Sequence, residues 1–394
     1  IVVSNPDMLH QGILPHHTQW LRFFRGLRYV VLDELHIYRG VFGSHVANVL
    51  RRLKRIAEFY GAGLADKGLS EEGGVGIQYL AASATIGNPG ELAEVLWERP
   101  VTSIDNDGAA YGQRHVLFYN PPLLNPTLGL RASAIDEALK LATRLLQAGV
   151  QTIIFARSRL SVELILREMR SRATQSGFDP EVVQGYRGGY LPQERRAIEV
   201  GLRQGRVRVV IATNALELGI DIGALDASIL VGYPGTIAGA RQQMGRAGRR
   251  AGTSLSVMVA TPDPLDQYLV AHPEYFFDRS PEEARANPDA LSLLAAHVTC
   301  AAFELPFERG ERFGRHLDVD ALLEALAAEG VLHAGQVQPP DRAREQFSWV
   351  GETYPAQTVS LRRSTADNVV VRSAETGVIG TVDRPTAPLL VHEG

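Results

Sequence analysis

The middle of the chain alternates short apolar strands with amphipathic helices, and this pattern constrains the fold more than any other feature. Strands rich in β-branched residues are predicted at 152–155, 207–211, 228–231 and 255–259. After the first of them, one apolar helix face is formed by Val162, Ile165, Leu166 and Met169. Alternation of this kind predicts an α/β fold in which helices cover both faces of a parallel sheet.

A strand near the start of the chain ends in carboxylates. The apolar run 30–32 is followed directly by Asp33 and Glu34, and His36 comes two residues later. Ligands of open α/β sheets bind beyond the carboxyl ends of the strands. A paired Asp-Glu there suits a magnesium-nucleotide site, with one carboxylate for the hydrated metal and one to activate water. Taken alone, such a pair is structural about as often as it is catalytic.

The phosphate-binding loop that normally faces such carboxylates does not occur in this sequence. No G-x-x-x-x-G-K-[ST] pattern is present, and thirty-two residues precede Asp33. The chain starts with Ile1, as if partway through a strand, and it stops just after the apolar run 389–391. We expect both ends to be cut rather than natural.

Composition limits the class of protein. The 394 residues, 45% hydrophobic and 21% charged, suit a soluble protein of two or three domains. A net charge of −4 means that any nucleic-acid surface must be local. Cys300 is the single cysteine, which excludes an internal disulfide and a multi-cysteine zinc site in this chain. No apolar run approaches the ~20 residues of a membrane helix, and we expect a cytoplasmic protein.

Changes in pattern along the chain predict five segments. The first α/β lobe, with strands at 28–32 and 77–82, is followed by a Gly/Asn/Pro-rich connector and a second lobe. A mostly helical segment with a short strand at 331–332 fits a winged-helix-like module, or else a helical spacer. Strands at 359–361, 369–371 and 378–382, with a turn at Gly377, begin an incomplete β-rich domain. The predicted boundaries are 1–107, 108–129, 130–280, 281–340 and 341–394.

Three further groups of residues follow predicted strands. Ser83 and Thr85 come after the strand at 77–82, where small hydroxyl residues are common in turns and helix caps. Beyond the strand at 207–211, Gly219 permits close backbone approach, and Asp221 can accept hydrogen bonds from a ribose or an arginine. In the run 242–250, Arg246 and Arg249 lie three residues apart. On one helix face, two guanidinium groups can stabilise a transferring phosphoryl group.

The order of these groups resembles a known family. Asp-Glu-x-His, Ser-Ala-Thr, T-x-A-x-E-x-G-I-D and Q-x-x-G-R-x-G-R are similar to motifs II, III, V and VI of superfamily 2 helicases. Longer stretches resemble the MrfA-type branch of DNA-repair helicases; they are 33–49, 186–190, 242–250, 295–306 and 359–383. The resemblance implies two RecA-like lobes, the first of them truncated at its N-terminus. The four-cysteine metal site of that family is absent from this sequence.

The resemblance implies a role in ATP hydrolysis for each motif of the first lobe. Asp33 would hold Mg²⁺ through water, and Glu34 would orient or deprotonate the attacking water. His36 would connect the nucleotide to Ser83 and Thr85 and so couple hydrolysis to lobe movement.

The motifs of the second lobe would contact the same nucleotide. Gly219 and Asp221 would touch ATP, Gln242 would lie near its phosphates, and Arg249 would be the arginine finger with Arg246 beside it. The finger would complete the site only when the lobes close.

The resemblance also implies contacts with the nucleic-acid backbone, which carry affinity without sequence preference. The candidates are Asn5, Asp7, Arg157, Arg187 and Thr213. Tyr186 and Tyr190 could stack on bases, although aromatic residues beside glycines more often pack in a core. His16, His17 and His45 have no ligand-like neighbours in sequence and are interpreted as ordinary surface or core residues.

The leading interpretation is a fragment of an ATP-dependent, 3′–5′ DNA helicase of DNA repair, acting on single-stranded or tailed duplex DNA near the bacterial nucleoid. An RNA helicase with the same motor motifs is a second interpretation. A third is an ATP-independent, nucleic-acid-binding scaffold that lost its P-loop. The intact Asp33, Glu34, Arg246 and Arg249 count against the scaffold. We expect this chain alone to be inactive.

Overall fold

The computed structural model divides into two compact units. The first unit contains Ile1–Ser83, Asn88–Ser103 and Ala284–Gly394, and the second contains Ala84–Gly87 and Ile104–Glu283. The residues that the structure describes are 1–62, 77–106, 108, 112–187, 190–217, 225–248, 252–314, 319–337, 344–362, 368–373 and 377–383.

The α-helices are short to medium in length, and several begin at a side-chain cap. Ser133 caps α5, Thr236 caps α8 and Asp263 caps α9. In chain order the helices are α1 Pro6–Met8, α2 Leu21–Arg25, α3 Gly40–Phe59, α4 Pro89–Trp97, α5 Ala134–Gln147, α6 Arg159–Gln175, α7 Pro192–Arg203, α8 Ile237–Met244, α9 Pro264–Ala271, α10 Glu274–Phe277, α11 Leu291–Glu304 and α12 Asp320–Ala328. Within the described ranges, no helix has both the length and the apolar character of a membrane span.

The strands form one large parallel sheet and several small sheets. In chain order they are β1 Tyr29–Leu32, β2 Gln78–Ala81, β3 Arg114–Tyr119, β4 Leu123–Asn125, β5 Leu130–Arg131, β6 Thr152–Phe155, β7 Val183–Tyr186, β8 Val209–Ala212, β9 Ala227–Val231, β10 Ser254–Val259, β11 Phe307–Glu308, β12 Leu332–Val337, β13 Arg344–Trp349, β14 Asn368–Ser373 and β15 Gly377–Asp383.

The second unit is built on the large sheet, whose strand order is β3-β10-β9-β6-β8-β7. Every strand pair in it is parallel. Successive residues of a strand point to opposite faces, and both faces are buried. Ile154 packs on the side of α5 and α6, whereas Ile153 packs on the side of α7 and α8. This confirms the predicted α/β fold with helices on both faces.

The sequence patterns found four of these six strands and missed the two edge strands. β3 lies inside the segment predicted to be a connector, because only alternate residues of this strand are partly buried and no continuous apolar run marks it. β7 was missed because Gln184 and Gly185 interrupt its apolar residues. The strands β3 and β4 thus lie within residues whose composition resembles a linker.

The first unit combines a parallel pair, β1 with β2, and a small α/β module. Leu32 pairs with Ala81 at the ends of the two strands, and α3 packs against both α4 and α11. In the module, β13 pairs antiparallel with β11 and β12. The predicted division at 340 therefore falls within one sheet. The assignment of this module as winged-helix-like stays a prediction, as does the division into five segments.

The C-terminal strands agree with the sequence patterns in part. The antiparallel pair β14 and β15 contains the predicted strands 369–371 and 378–382. The predicted strand at 359–361 is wrong, because Pro355–Thr358 forms a 3₁₀ turn that Val359 terminates. Proline at the start of that turn fixes its backbone and lacks an N–H for sheet pairing. Gly377 is the first residue of β15, and residues 374–376 lie outside the described part.

A buried polar network joins α3 and α11 to the π-helical turn Leu9–Ile13. The side chain of Arg52 is fully buried and pairs with Glu304, with Nε 3.0 Å from Oε2. Arg52 Nη1 also donates to His10 Nδ1 at 2.6 Å. His10 Nδ1 is therefore an acceptor, and the ring is neutral, with Nε2 donating to the Val359 carbonyl at 3.0 Å.

Other buried histidines extend this network. His45 Nδ1 lies 2.9 Å from His297 Nε2, and His17 Nε2 donates to the backbone carbonyl of Glu304 at 2.7 Å. Burial and the positive charge of Arg52 lower the pKa of His10 to about 3 and hold the pKa of His297 well below its usual value. His17 and His45 are thus core residues, as expected.

The network predicts loss of stability in mild acid. His10 and His297 have folded-state pKa values below the unfolded value of about 6.5, so the unfolded chain binds more protons as the pH falls through 6.5. We expect each histidine to remove about 2 kcal/mol of unfolding free energy between pH 7 and pH 5. Urea denaturation at both pH values measures this. His10→Gln should reduce the pH dependence, and an unchanged dependence in that variant would contradict the assignment.

The same network predicts a strong coupling between Arg52 and Glu304. Arg52→Met leaves a buried carboxylate without its cation, and we expect a loss of roughly 3–5 kcal/mol in unfolding free energy. Arg52→Met/Glu304→Leu should recover at least half of the loss, because no unpaired charge remains. The control is Lys54→Met, which removes an exposed ion pair on the same helix and should cost under about 1 kcal/mol. A double variant as unstable as the single one would refute the coupling.

Candidate active site

The turn after β1 holds Glu34, one of the two predicted catalytic carboxylates, in a strained backbone conformation. Glu34 has φ 52°, in the left-handed region that residues other than glycine rarely occupy. Its amide donates to Asp33 Oδ1 at 2.9 Å, and the next amide, of Leu35, donates to the Ala82 carbonyl at 2.8 Å. The first hydrogen bond lies within the turn, and the second holds the turn against the edge where β1 and β2 end.

The side chains of Asp33, Glu34 and His36 come together in this turn, as their spacing predicts. Asp33 is exposed and His36 is buried. His36 Nδ1 lies 3.5 Å from Glu34 Oε2. Burial lowers the pKa of His36, and the carboxylate of Glu34 opposes that effect. A mostly neutral imidazole beside Glu34 can orient the carboxylate without removing its charge.

The residues of this turn fit a hydrated magnesium ion. Mg²⁺ prefers oxygen ligands, keeps several waters and is usually bound through one or two carboxylates together with substrate phosphates. An exposed Asp33 carboxylate beside Glu34 supplies such oxygens. Among the described residues, no group of three or more His, Cys, Asp or Glu is placed to hold a metal ion. Water-mediated binding of Mg²⁺ by Asp33 stays a prediction.

Ser83 and Thr85 lie beyond β2 on consecutive segments. Ser83 is exposed and belongs to the first unit, whereas Thr85 is partly buried and belongs to the second. Their predicted role in coupling is not decided by these positions and stays a prediction.

In the second unit, Arg246 lies two residues beyond the end of α8, so the expectation that it is on a helix face is wrong. The segment after β8 fixes its side chain. Arg246 is buried, and its Nη2 donates to the backbone carbonyl of Glu217 at 2.6 Å. Gln243 Nε2 donates to Glu217 Oε2 at 3.3 Å. Burial raises the pKa of Glu217, while Gln243 and Arg246 oppose the shift. Gln242 is on the same helix, partly buried.

Thr213 begins this anchoring segment. Its Oγ1 accepts from the amide of Ala215 at 3.4 Å and caps the 3₁₀ turn Asn214–Leu216. Gly219, Asp221 and Arg249 lie outside the described residues, so their predicted contacts with the nucleotide stay predictions.

The candidate nucleic-acid contacts in the first unit have local partners. Asn5 Oδ1 accepts from the amide of Met8 at 2.7 Å and so caps α1. Asp7 Oδ2 lies 3.3 Å from Arg362 Nη2, on the protein surface. Their contacts with nucleic acid stay predictions.

Both arginine candidates in the second unit form ion pairs. Arg157 Nη2 donates at 2.7 Å to Asp266, a fully buried carboxylate that also accepts the amides of Tyr233 and Thr261. Arg157 is therefore a structural partner of Asp266, a role that sequence analysis did not predict. Its side chain is still 42% exposed, which leaves guanidinium surface for a phosphate. Arg187 Nε donates to Glu163 Oε1 at 2.9 Å.

Tyr186 is unsuited to base stacking. The residue is 1% exposed, and its hydroxyl donates to Glu199 Oε1 at 2.8 Å. Burial, followed by the hydrogen bond to Glu199, raises the pKa of Tyr186 to about 12. The alternative weighed for this residue, packing in a core, is the correct one. Tyr190 is partly buried, with the Arg187 guanidinium 5.0 Å from its ring centroid.

Three residues around α8 were not assigned by sequence reasoning. Glu217 lies inside a recognised motif, but its sequence neighbours give no sign that its side chain contacts α8. Gln243 is the second of two adjacent glutamines, of which the first was chosen. Glu282, whose carboxylate accepts from the amides of Ile237 and Ala238 at the start of α8, lies almost forty residues beyond the helix, where no local pattern indicates this contact.

Comparisons with known proteins agree with this arrangement. A family model described as DEAD/DEAH box helicase matches residues 1–92, and one described as helicase conserved C-terminal domain matches residues 133–251. YprA of Bacillus subtilis, an uncharacterized ATP-dependent helicase, is 49% identical over 397 residues, which cover 100% of this chain and 50% of YprA. The ATP-dependent helicase HRQ1 of Saccharomyces cerevisiae is 36% identical over 407 residues, covering 100% of this chain and 36% of HRQ1.

A solved structure shows the same fold. The crystal structure of the helicase MrfA bound to DNA and AMPPNP matches with a TM-score of 0.83 at 49% identity, over 98% of this chain and 51% of MrfA. The chain thus spans about half the length of YprA and of MrfA. It belongs to the superfamily 2 helicases, in the group that contains MrfA, YprA and HRQ1, and its two parallel sheets are those of RecA-like lobes.

Proposed function

We propose that the intact protein is an ATP-dependent DNA helicase and that this chain supplies much of its motor. The observation that carries the proposal is the turn after β1, where a strained Glu34 stands between Asp33 and His36. Backbone strain persists where surrounding contacts enforce it, and it is concentrated at functional sites. A scaffold without catalysis would have no need for Asp33 and Glu34 together at this strand end.

The proposed chemistry follows from the positions of these side chains. Magnesium, when bound, neutralises developing charge on the phosphates. Asp33 would hold the hydrated ion with its exposed carboxylate. Glu34 accepts a proton from the attacking water, and His36 holds the Glu34 carboxylate from the buried side of the turn.

Arg246 contributes positive charge from the second unit. Its anchorage to the Glu217 carbonyl limits the rotamers of a long side chain, which lowers the entropy lost when the guanidinium meets a phosphate. Arg249, three residues on, is proposed as the arginine finger, with Gln242, Gly219 and Asp221 as further nucleotide contacts.

We propose DNA as the partner because the MrfA structure, at 49% identity, was determined with DNA and AMPPNP. Arg157, Arg187, Thr213, Asn5 and Asp7 are the proposed backbone contacts. The 3′–5′ polarity, the role in DNA repair and a location near the nucleoid come with the family branch and not from any single residue.

The isolated 394-residue chain should fail to hydrolyse ATP. The amides and lysine of a G-x-x-x-x-G-K-[ST] loop normally provide the main hold on the triphosphate, and this sequence contains no such loop. We expect phosphate release at the background rate in a colorimetric assay with single-stranded DNA, while the intact protein releases phosphate in parallel. Robust turnover by the purified chain would overturn this expectation.

Glu34→Gln in the intact protein should lower ATP hydrolysis by a factor of about 10²–10⁴, because it removes a general base and keeps the shape of the side chain. Unwinding of a duplex with a 3′ single-stranded tail should be lost with it. Glu58→Gln is the matched control, since Glu58 is 59% exposed at the far end of α3. A Glu34→Gln enzyme with normal hydrolysis would exclude the proposed chemistry. Stronger stimulation of the wild type by RNA than by DNA would favour an RNA helicase.

A further inference from the structure

The N-terminal end of α8 is held by a carboxylate from a distant segment. Glu282 Oε1 accepts from the amide of Ile237 at 2.7 Å, and Oε2 accepts from the amide of Ala238 at 3.0 Å. Thr236 Oγ1 accepts from the amide of Gly239 at 3.0 Å. The first three amides of the helix therefore have side-chain acceptors, and the negative charge of Glu282 lies at the positive end of the helix dipole.

The backbone of Glu282 contacts a second part of the chain, the segment Ala84–Gly87. The Glu282 carbonyl accepts from the amide of Gly87 at 3.1 Å. A Cβ atom on Gly87 would lie 2.6 Å from the Pro281 carbonyl oxygen, so only glycine permits this approach. Gly87 ends the segment Ala84–Gly87, which contains Thr85 and belongs to the second unit together with Glu282 and α8.

The opposite end of α8 is anchored as well, through Arg246 and the Glu217 carbonyl. Eight residues of α-helix span about 12 Å and move as a rigid rod. A displacement of the N-terminal end therefore changes the direction in which Gln242 and Arg246 point. Glu282 sets the position of that end.

We propose that Glu282 is a positioning residue that ties the Ala84–Gly87 segment to α8, so that the placement of Thr85 and the presentation of Gln242 and Arg246 change together. The role rests on the proposed ATP hydrolysis. Glu282 acts through α8 and is not itself a catalytic group. Its side chain holds the helix, its backbone holds Gly87, and a single residue serves both contacts.

Glu282→Gln tests this connection between the Ala84–Gly87 segment and α8. The glutamine amide has one acceptor oxygen where the carboxylate has two, and it carries no charge. The intact protein is suited to residue-resolved amide hydrogen exchange and to ATPase kinetics with single-stranded DNA. We expect exchange at Ile237, Ala238 and Gly87 to be about tenfold faster in the variant. We also expect kcat for ATP to fall about tenfold with KM changed less than twofold.

Two control variants distinguish the connection between Gly87 and α8 from a local loss of capping at the helix start. Thr236→Val removes a cap from the same helix end, and it should accelerate exchange at Gly239 while leaving Gly87 unchanged. Glu274→Gln removes a carboxylate that is 61% exposed, and neither measurement should change.

Two results would overturn the proposal. Unchanged exchange at Gly87 in Glu282→Gln would mean that Glu282 only caps α8. Faster exchange at all three amides with a wild-type kcat would mean that the tie has no part in catalysis. A wild-type protein that does not hydrolyse ATP would overturn the proposed function instead, and the exchange measurements would still decide whether the tie exists.

Discussion

Parallel strand pairing is the constraint on which the candidate site depends. It places the carboxyl ends of neighbouring strands at the same edge of a sheet, so residues that are distant in sequence follow the strands side by side. In the first unit, Leu32 pairs with Ala81, which brings the Asp33–His36 turn to the Ala82 carbonyl. In the second, Ala212 pairs with both Phe155 and Tyr186. Arg157, Arg187 and Thr213 all follow strands at that one edge.

Buried or half-buried carboxylates then fix the segments that leave these edges. Glu304 holds Arg52 between α3 and α11, Asp266 holds Arg157 and two loop amides, and Glu217 and Glu282 hold the two ends of α8. A carboxylate accepts several hydrogen bonds at once and is costly to bury without them. Each therefore tolerates few alternative arrangements around it. A proposed contact residue on a loop, such as Arg157, gains in this way a rigidity that a loop alone lacks.

Sequence reasoning was most successful where the signal is local. The strands β6, β8, β9 and β10 consist mainly of β-branched and aliphatic residues, and the Asp33–His36 turn follows directly from the end of one strand. The edge strands gave no such pattern, because only alternate residues of β3 are partly buried and because Gln184 and Gly185 interrupt the apolar residues of β7. The ion pair of Arg157 with Asp266 and the burial of Tyr186 depend on residues far along the chain, and a single sequence does not show which of these distant residues meet.

A single sequence likewise does not show that Glu217 and Glu282 hold the two ends of α8. Helix caps are usually predicted from residues within one turn of the helix start, and Thr236 satisfies that rule. Glu282 accepts from the two preceding amides, those of Ile237 and Ala238, from a segment that returns after two further helices, α9 and α10. Only the folded chain brings its carboxylate to the helix. A residue that caps a helix from a distant segment can connect that helix to a third segment through its own backbone. The Glu282 carbonyl does so by accepting from the amide of Gly87. A local cap such as Thr236 lies in the chain that enters the helix, so its backbone cannot reach a separate motif in the same manner.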